Sequence, residues 1–361
     1  MSYEIPPSRR SSIDQVLAVL EKASRVILTT HKNGDGDGAG CEAALLSLLL
    51  EEGIQAWIVN PTPFPDLFRF LVPDPTRILE VDEPETRRRC RAADLCIVVD
   101  TGEVSRIGRV GPLVEDLGKV IIDHHPPGSD ALEGVSFRDA AAAAAGELVF
   151  DLAWTRDGPW TRPLVEGLYV ALLTDTGSFR HSNVTPEVHR IAAELVSRGA
   201  DPEELHRRIY GRAPLRRYRL LEKALATLDV SSDGRVAWMT VPAKAFRELA
   251  CSSEDLEGLV DFPRELDGVE VGLLFREVAE GSTKVSFRSN GPADVNVLAR
   301  SFGGGGHARA SGALIEGKVE QVRDRVVARS IEYLHDEAGA PGSGDAGLAE
   351  SREPQDGEGV E

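Results

Sequence analysis

Residues 27–50 read ILTTHKNGDGDGAGCEAALLSLLL. An apolar run that begins at Val26 ends in two threonines. His31, Asp35 and Asp37 follow, set among Gly34, Gly36 and Gly38. A second apolar run, CEAALLSLLLEEG, then has the spacing of a buried helix and stops at Gly53. A buried strand leaving through a polar, glycine-rich loop into a helix is the unit of an α/β fold.

The pattern recurs. QAWIVN (55–60), LCIVVD (95–100) and KVIIDHH (119–125) read as further buried strands. AAAAAGELVFDLAW (141–154), RPLVEGLYVALLTD (162–175) and TPEVHRIAAELVSRG (185–199) read as helices. Thr185 is the expected N-cap of the last, with Pro186 at its first position. Strands that alternate with helices predict a mostly parallel sheet with helices on both faces. A charged helical stretch, interrupted at Gly211 and Pro214, reads as a connector. A smaller α/β pattern follows: GRVAWMTV, VEVGLLFREV and TKVSFRSN as strands, DVNVLARSF as a helix. The expected divisions are a first domain over 12–208, a connector over 209–229, a second domain over 230–335 and a disordered acidic tail over 336–361.

With 361 residues and 42% hydrophobic content, the chain can build two ordinary cores. No apolar run approaches the roughly 18 residues of a membrane span, and MSYEIPPSRRSS lacks the apolar centre of a signal peptide. Cys41, Cys90, Cys96 and Cys251 show neither a disulfide framework nor metal-knuckle spacing. A cytoplasmic protein is expected. Its 59 acidic residues outnumber 41 basic ones, for a net charge of −18. Such a chain is poorly suited to gripping long duplexes through many phosphate contacts, but it can bind a small anion where metals supply positive charge.

Ligands of open parallel sheets sit outside the carboxyl ends of the strands. VILTT leads to His31, Asp35 and Asp37; LCIVV leads to Asp100; KVII leads to Asp123, His124 and His125. Asp175 closes the helical run LYVALLTD. A lone aspartate at a strand end is usually a cap or turn former, but one sheet edge would gather all of these. A calcium loop is the competing reading, since Asn33, Asp35, Asp37 and Gly38 match its first half. It fails at the twelfth position, where Ala44 replaces the bidentate glutamate, and its leading flank is a strand. Asp35, Asp37, Asp100 and Asp175 together carry four negative charges, which two divalent cations would cancel. Mixed histidine and carboxylate ligands suit Mn²⁺ better than Mg²⁺. Co²⁺ and Mg²⁺ are the alternatives. The glycines of the loop are expected to supply tight backbone conformations that let both acids reach metal. Asp123 is expected to orient a neighbouring histidine rather than ligate. The alanine run 140–145 is expected to start a helix and pack, without a part in chemistry.

SFGGGGHARASGA (301–313) is the other unusual stretch. Its glycines lie inside a domain, and no Lys-Ser/Thr follows, which excludes a P-loop. They read as a backbone amide cradle for an anion. His307 and Arg309 stand beside it, and Arg288, near a strand end in KVSFRSN, is suited to fork onto a phosphate.

DHH in VIIDHHPPG, with THKNGDGDGAG before it and GGGGHARASG far downstream, resembles the DHH phosphoesterases that carry a DHHA1 domain. The resemblance spans nearly all of residues 13–333. Within that family the chain looks most like the bifunctional oligoribonucleases and phosphoadenosine-phosphate phosphatases. The resemblance implies one metal on His31, Asp35 and Asp100, and a second on Asp37, Asp100, His124 and Asp175, with Asp100 bridging. It makes Asp100 and His125 catalytic, His125 lying near the leaving oxygen. It gives Arg288, Gly303, Gly304, Gly305, Gly306 and His307 contacts to substrate phosphate or terminal groups. Three positions depart from the pattern: Gly34 where proline is usual, Cys41 where serine is common, and His181 where tyrosine is common. None is a ligand.

The implied function is hydrolysis of very short RNAs to mononucleotides and of 3′-phosphoadenosine 5′-phosphate (pAp) to AMP, with two Mn²⁺ per site. Short RNA and pAp are then the partners, with no membrane and no long duplex; the oligomeric state is left open, a homodimer included. The rival enzyme is a cyclic-dinucleotide phosphodiesterase of the same superfamily, which shares all the motifs. A family II pyrophosphatase lacks the GGGGH element, and a RecJ-type exonuclease needs further nucleic-acid-binding domains. A non-catalytic nucleotide-binding module is the alternative of a different class, and the intact ligand set argues against it.

Overall fold

The structure, a computed structural model, describes residues 3–339 except Glu257 and Glu280. The chain divides between Arg212 and Ala213 into two compact units.

The first unit holds six parallel strands: β1 (Arg25–Thr29), β2 (Gln55–Asn60), β3 (Ile78–Glu80), β4 (Leu95–Val99), β5 (Gly118–Asp123) and β6 (Val135–Arg138). Their order is β3-β2-β1-β4-β5-β6. The central strands are near-continuous Val, Ile and Leu because both faces are covered. On one face α1 (Arg10–Leu20) and α2 (Gly36–Glu51) pack over Leu28, Ile97 and Ile122. On the other, Cys90 of α3 (Pro84–Ala92) and Ile107 of α4 (Val104–Ile107) cover Ile27, Cys96 and Val98. The remaining helices of this unit are α5 (Ala145–Arg156), α6 (Arg162–Asp175), α7 (Pro186–Ser197) and α8 (Pro202–Tyr210). Thr185 does cap α7, accepting from the Val188 amide. The strand order reverses direction between β1 and β4. This is the switch point at which doubly wound sheets open a crevice.

In the second unit a mixed sheet runs β11-β12-β10-β9-β8-β7. Its strands are β7 (Asp229–Val230), β8 (Val236–Val241), β9 (Val271–Ala279), β10 (Ser282–Ser289), β11 (Gly305–Gly306) and β12 (Ala310–Glu316). Its helices are α9 (Leu215–Leu225), α10 (Ala243–Glu248), α11 (Asp261–Arg264), α12 (Val295–Ser301) and α13 (Val319–Gly339). α12 and α13 cover one face, where Val285, Phe287, Leu298 and Val326 meet. α9 covers the other with Leu220 and Ala224.

The division falls inside the stretch 209–229 expected as a connector, and α9 within that stretch packs on the second unit. Residues 336–339 complete α13. The rest of the tail expected to be disordered, 340–361, lies outside the described residues. Among those described, no helix is long and apolar enough to cross a membrane.

Candidate metal centre

β1, β4 and β5 are neighbours in the sheet and end at one edge, so His31, Asp100 and His124 emerge side by side. Asp100 turns out of β4 in a left-handed conformation, φ 57°, while its amide still donates to Ile122 O at 2.9 Å. Its two carboxylate oxygens then face opposite ways. Oδ2 lies 3.1 Å from His31 Nε2, and Oδ1 lies 3.4 Å from His124 Nε2 and 3.6 Å from His125 Nδ1. Asp35 Oδ2 is 3.8 Å from His31 Nε2. Asp37 Oδ2 and Asp175 Oδ2 are 3.8 and 3.6 Å from His124 Nε2. Three groups of candidate ligand atoms result, each within 4.8 Å: His31, Asp35 and Asp100; Asp37, His124 and Asp175; and Asp100, His124 and His125.

The glycines of the first loop act differently from expectation. None of Gly34, Gly36 and Gly38 has positive φ; the left-handed residue is Asn33, φ 56°. They allow close approach instead. A Cβ on Gly36 would lie 2.4 Å from Thr174 Cγ2, and one on Gly38 2.5 Å from Thr30 Oγ1. α2 also starts at Gly36, earlier than its apolar pattern. Asp35 is its N-cap, with Oδ1 accepting from the amides of Asp37 (3.1 Å) and Gly38 (3.2 Å), while Oδ2 faces His31.

Both ring orientations suit metal binding. His31 Nδ1 pairs with Lys32 O at 2.9 Å and His124 Nδ1 with Ala142 O at 3.3 Å. A ring that donates from Nδ1 leaves Nε2 as the donor atom for a cation. His125 is held by Asp123, whose Oδ1 accepts from its amide (3.1 Å) and pairs with its Nδ1 (2.9 Å). Arg138 anchors the other oxygen of Asp123 at 3.1 Å. Asp123 therefore orients a histidine, as its position suggested.

The carboxylates of the site repel one another in a buried setting. Burial, with repulsion from Asp100 and Asp175, pushes Asp37 well above the usual carboxylate range. Burial, only partly offset by His124, and repulsion from Asp100 and Asp35 bring Asp175 to about 7. Burial acts the same way on Asp100, but hydrogen bonds from His124 and His31 outweigh it and hold Asp100 well below its ordinary value. In turn, although burial opposes it, Asp100 raises both imidazoles to about 10, helped at His31 by Asp35 and at His124 by Asp37 and Asp175. A site that draws protons onto two histidines in this way has a donor set fitted to divalent cations.

Several contributors lie outside the expected ligand set. The amides of Ala145 and Gly146 donate to Asp37 Oδ2 (2.6 Å) and Oδ1 (2.9 Å). Asn183 Nδ2 bridges Ala143 O (2.9 Å) and Asp175 O (3.2 Å). The alanine run expected only to pack thus supplies contacts to Asp37 and His124 and a link to Asp175, and only its last residue, Ala145, is helical. Cys41 donates from Sγ to Asp37 Oδ1 at 3.4 Å. Burial and Asp37 raise that thiol, which keeps it a donor where serine is common.

In the second unit, Arg288 on β10 sits opposite Ala310 of β12 and donates to Phe287 O at 3.0 Å. Burial lowers its guanidinium below the usual value, and among the described residues it forms no ion pair. Two amides of the glycine loop expected as a cradle are taken up by the end of α12. Gly303 and Gly304 donate to Arg300 O (3.0 Å) and Ala299 O (2.9 Å), closing α12, and His307 N donates to Ala310 O at 2.8 Å. Gly304 is needed for close approach, since a Cβ there would lie 2.2 Å from Gly312 O.

Residues 25–172 match the model of the DHH family, N-terminal domain, and residues 235–336 match the DHHA1 domain. The chain belongs to the DHH family. A DHH relative from Thermus thermophilus, described as the bifunctional oligoribonuclease and PAP phosphatase NrnA, is 33% identical over 89% of this chain and 93% of its own length. The Bacteroides fragilis structure described as an exopolyphosphatase-related protein is 27% identical, with TM-score 0.81 over 91% of this chain and 96% of the other. RecJ from Thermus thermophilus, solved with Mn²⁺, shares the fold at 16% identity and TM-score 0.50, over 89% of this chain and 55% of its own.

Proposed function

We propose that this DHH protein is a metal-dependent phosphoesterase that degrades short oligoribonucleotides to mononucleotides and dephosphorylates pAp to AMP. The observation that carries the reading is a pair of adjoining ligand groups, His31, Asp35 and Asp100 on one side and Asp37, His124 and Asp175 on the other, with Asp100 Oδ1 3.4 Å from His124 Nε2 between them. The relative described as NrnA supplies the substrate classes.

Asp100 bridges the two sets. Mixed imidazole and carboxylate donors favour Mn²⁺, with Mg²⁺ or Co²⁺ as substitutes. His31, Asp35, Asp37, Asp100, His124 and Asp175 would hold the two divalent ions, which when bound would supply Lewis acidity toward the phosphate and ionise water at neutral pH. His125, fixed through Asp123 and Arg138, delivers a proton to the leaving oxygen from the ring nitrogen that Asp123 does not hold. Arg288, the Gly303–Gly306 loop and His307 contact substrate phosphate or terminal groups; the charge-assisted contact of that set comes from the guanidinium.

Product analysis with a diribonucleotide, pAp and a cyclic dinucleotide, each with Mn²⁺, tests the proposal. Mononucleotides from the dinucleotide and AMP from pAp are expected. Cleavage of the cyclic dinucleotide alone identifies the rival phosphodiesterase, and no cleavage at all a binding module.

A further inference from the structure

Arg9 lies far from the metal ligands in sequence, yet it is buried, 5% exposed, among three acids of the first unit. Its Nε is 2.7 Å from Asp139 Oδ2, and its Nη1 is 2.8 Å from Glu147 Oε1 and 3.0 Å from Asp151 Oδ2. Tyr3 donates to the other oxygen of Asp151. Two of these acids pass the hold onward. Asp139 Oδ1 accepts from the Ala141 amide at 2.9 Å, and Glu147 Oε2 accepts from the Ala143 amide at 3.0 Å. Arg9 therefore ties together the two ends of residues 139–147, and each tie is also a hydrogen bond to the alanine loop between them.

That loop has only methyl side chains with which to anchor itself, and its outputs all run to one ligand group. Ala142 O fixes the His124 ring, the Ala145 and Gly146 amides bind Asp37, and Ala143 O holds Asn183, which reaches Asp175 O. Among the described residues, no hydrogen bond or ion pair joins the loop to His31 or Asp35. We propose that Arg9 is a positioning residue for one of the two metals, the one held by Asp37, His124 and Asp175, acting through the 139–147 loop. The inference rests on the ligand assignment above. An ordinary buried ion cluster would affect stability without distinguishing the two metals; this one has an asymmetric effect.

The test is calorimetric Mn²⁺ titration of Arg9→Met, Arg9→Lys, Asp37→Ala and His31→Ala, well below each melting temperature, with hydrogen exchange followed at residues 139–147. Changes in groups that orient metal ligands typically alter affinity by about 10–100-fold. Arg9→Met is expected to weaken one Mn²⁺ step by that order, the same step that Asp37→Ala removes and His31→Ala leaves. Exchange at 143–146 should rise, and Arg9→Lys should fall between Arg9→Met and the wild type. If Arg9→Met does not fold, Arg9→Lys decides by the same criterion. Wild-type affinity at both steps with unchanged exchange, or equal weakening of both steps, overturns the inference. If Asp37→Ala itself leaves both steps intact, the ligand assignment is what has failed.

Discussion

The amide of Ala145 lies 2.6 Å from Oδ2 of Asp37, across 108 residues of sequence. The first residue of α5 thereby holds a carboxylate on α2, and the neighbouring Gly146 amide takes its other oxygen. Ala145 is the first helical residue, and Ala144 before it is extended, φ −158° and ψ 157°. Proline is tolerated at such a position, and its predecessor already has the conformation it requires. Ala145→Pro should keep α5 while replacing the donor by a ring carbon that presses on Asp37. Turnover is expected to fall by about tenfold or more, on the scale of a hydrogen bond to a charged group, with far-ultraviolet circular dichroism unchanged. Normal kcat and Mn²⁺ affinity in this variant would show that the contact is passive.

In the proposed assignment Asp100 is the shared carboxylate, so its loss would remove a bridge and not merely one of six ligands. Asp100→Asn is the cleaner substitution because asparagine tolerates the left-handed backbone there. Turnover on pAp should drop by roughly 10³-fold or more, as when a member of a catalytic unit is removed. Near-normal activity with Mn²⁺ would sink the site assignment.

α2 and α6 cross at Gly40 and Gly167. A Cβ on Gly40 would sit 2.4 Å from Gly167 O, and one on Gly167 2.6 Å from Gly40 O. Either Gly→Ala change must push the helices apart, at a cost of about 1–3 kcal/mol for an overpacked core. Because α2 carries Asp37 and α6 carries Asp175, Mn²⁺ affinity should fall together with the urea midpoint. A lower midpoint with unchanged affinity would mean that the site absorbs the shift.

In the second unit, Arg288→Ala and His307→Ala should act on binding. A charge-assisted contact is worth about 1.5–3 kcal/mol, so loss of the guanidinium should raise KM for pAp by roughly 10–150-fold. Mn²⁺ titration should be unchanged. KM at the wild-type value, or loss of Mn²⁺ binding, contradicts the division of labour.

Glu42 lies fully buried on α2, accepting from Asn60 Nδ2 at 2.9 Å, and Asn60 Oδ1 in turn accepts from the Thr30 amide just before His31. Burial pushes Glu42 up to about 8. The folded state therefore keeps a proton that the unfolded chain releases above its ordinary value near 4.5. Its contribution to stability is full below that value and is lost as pH rises toward 8, with a slope of up to about 1.4 kcal/mol per pH unit. Denaturation of wild type and Glu42→Gln across pH 5–8 measures the difference. Parallel curves would rule out a titrating Glu42.

Much of the site was legible because its chemistry resides in side chains placed at strand ends. His31, Asp100, Asp123 and His124 each follow or close an apolar run, and in a parallel sheet those runs end at one edge. The loop glycines were legible as necessary but not in their reason, since close approach to Thr174, Thr30 and Gly167 depends on how α2 meets α6 and β1. The amide cradle expected of the GGGGH loop was likewise a local reading. Whether those amides are free depends on α12, whose last carbonyls take two of them.

By itself, then, the sequence determined the α/β class, the parallel sheet and the identity of the charged candidate ligands, because hydrophobic period and residue chemistry are local properties. Only the tertiary structure decided which oxygen of Asp100 faces which histidine, that Asn33 and Asp100 turn left-handed, and that an alanine loop clamped by Arg9 holds Asp37. The hold on Asp37 uses the backbone amides of Ala145 and Gly146, a group that every residue but proline carries alike. Their partner lies 108 and 109 residues away, so only the folded packing selects which of them meet.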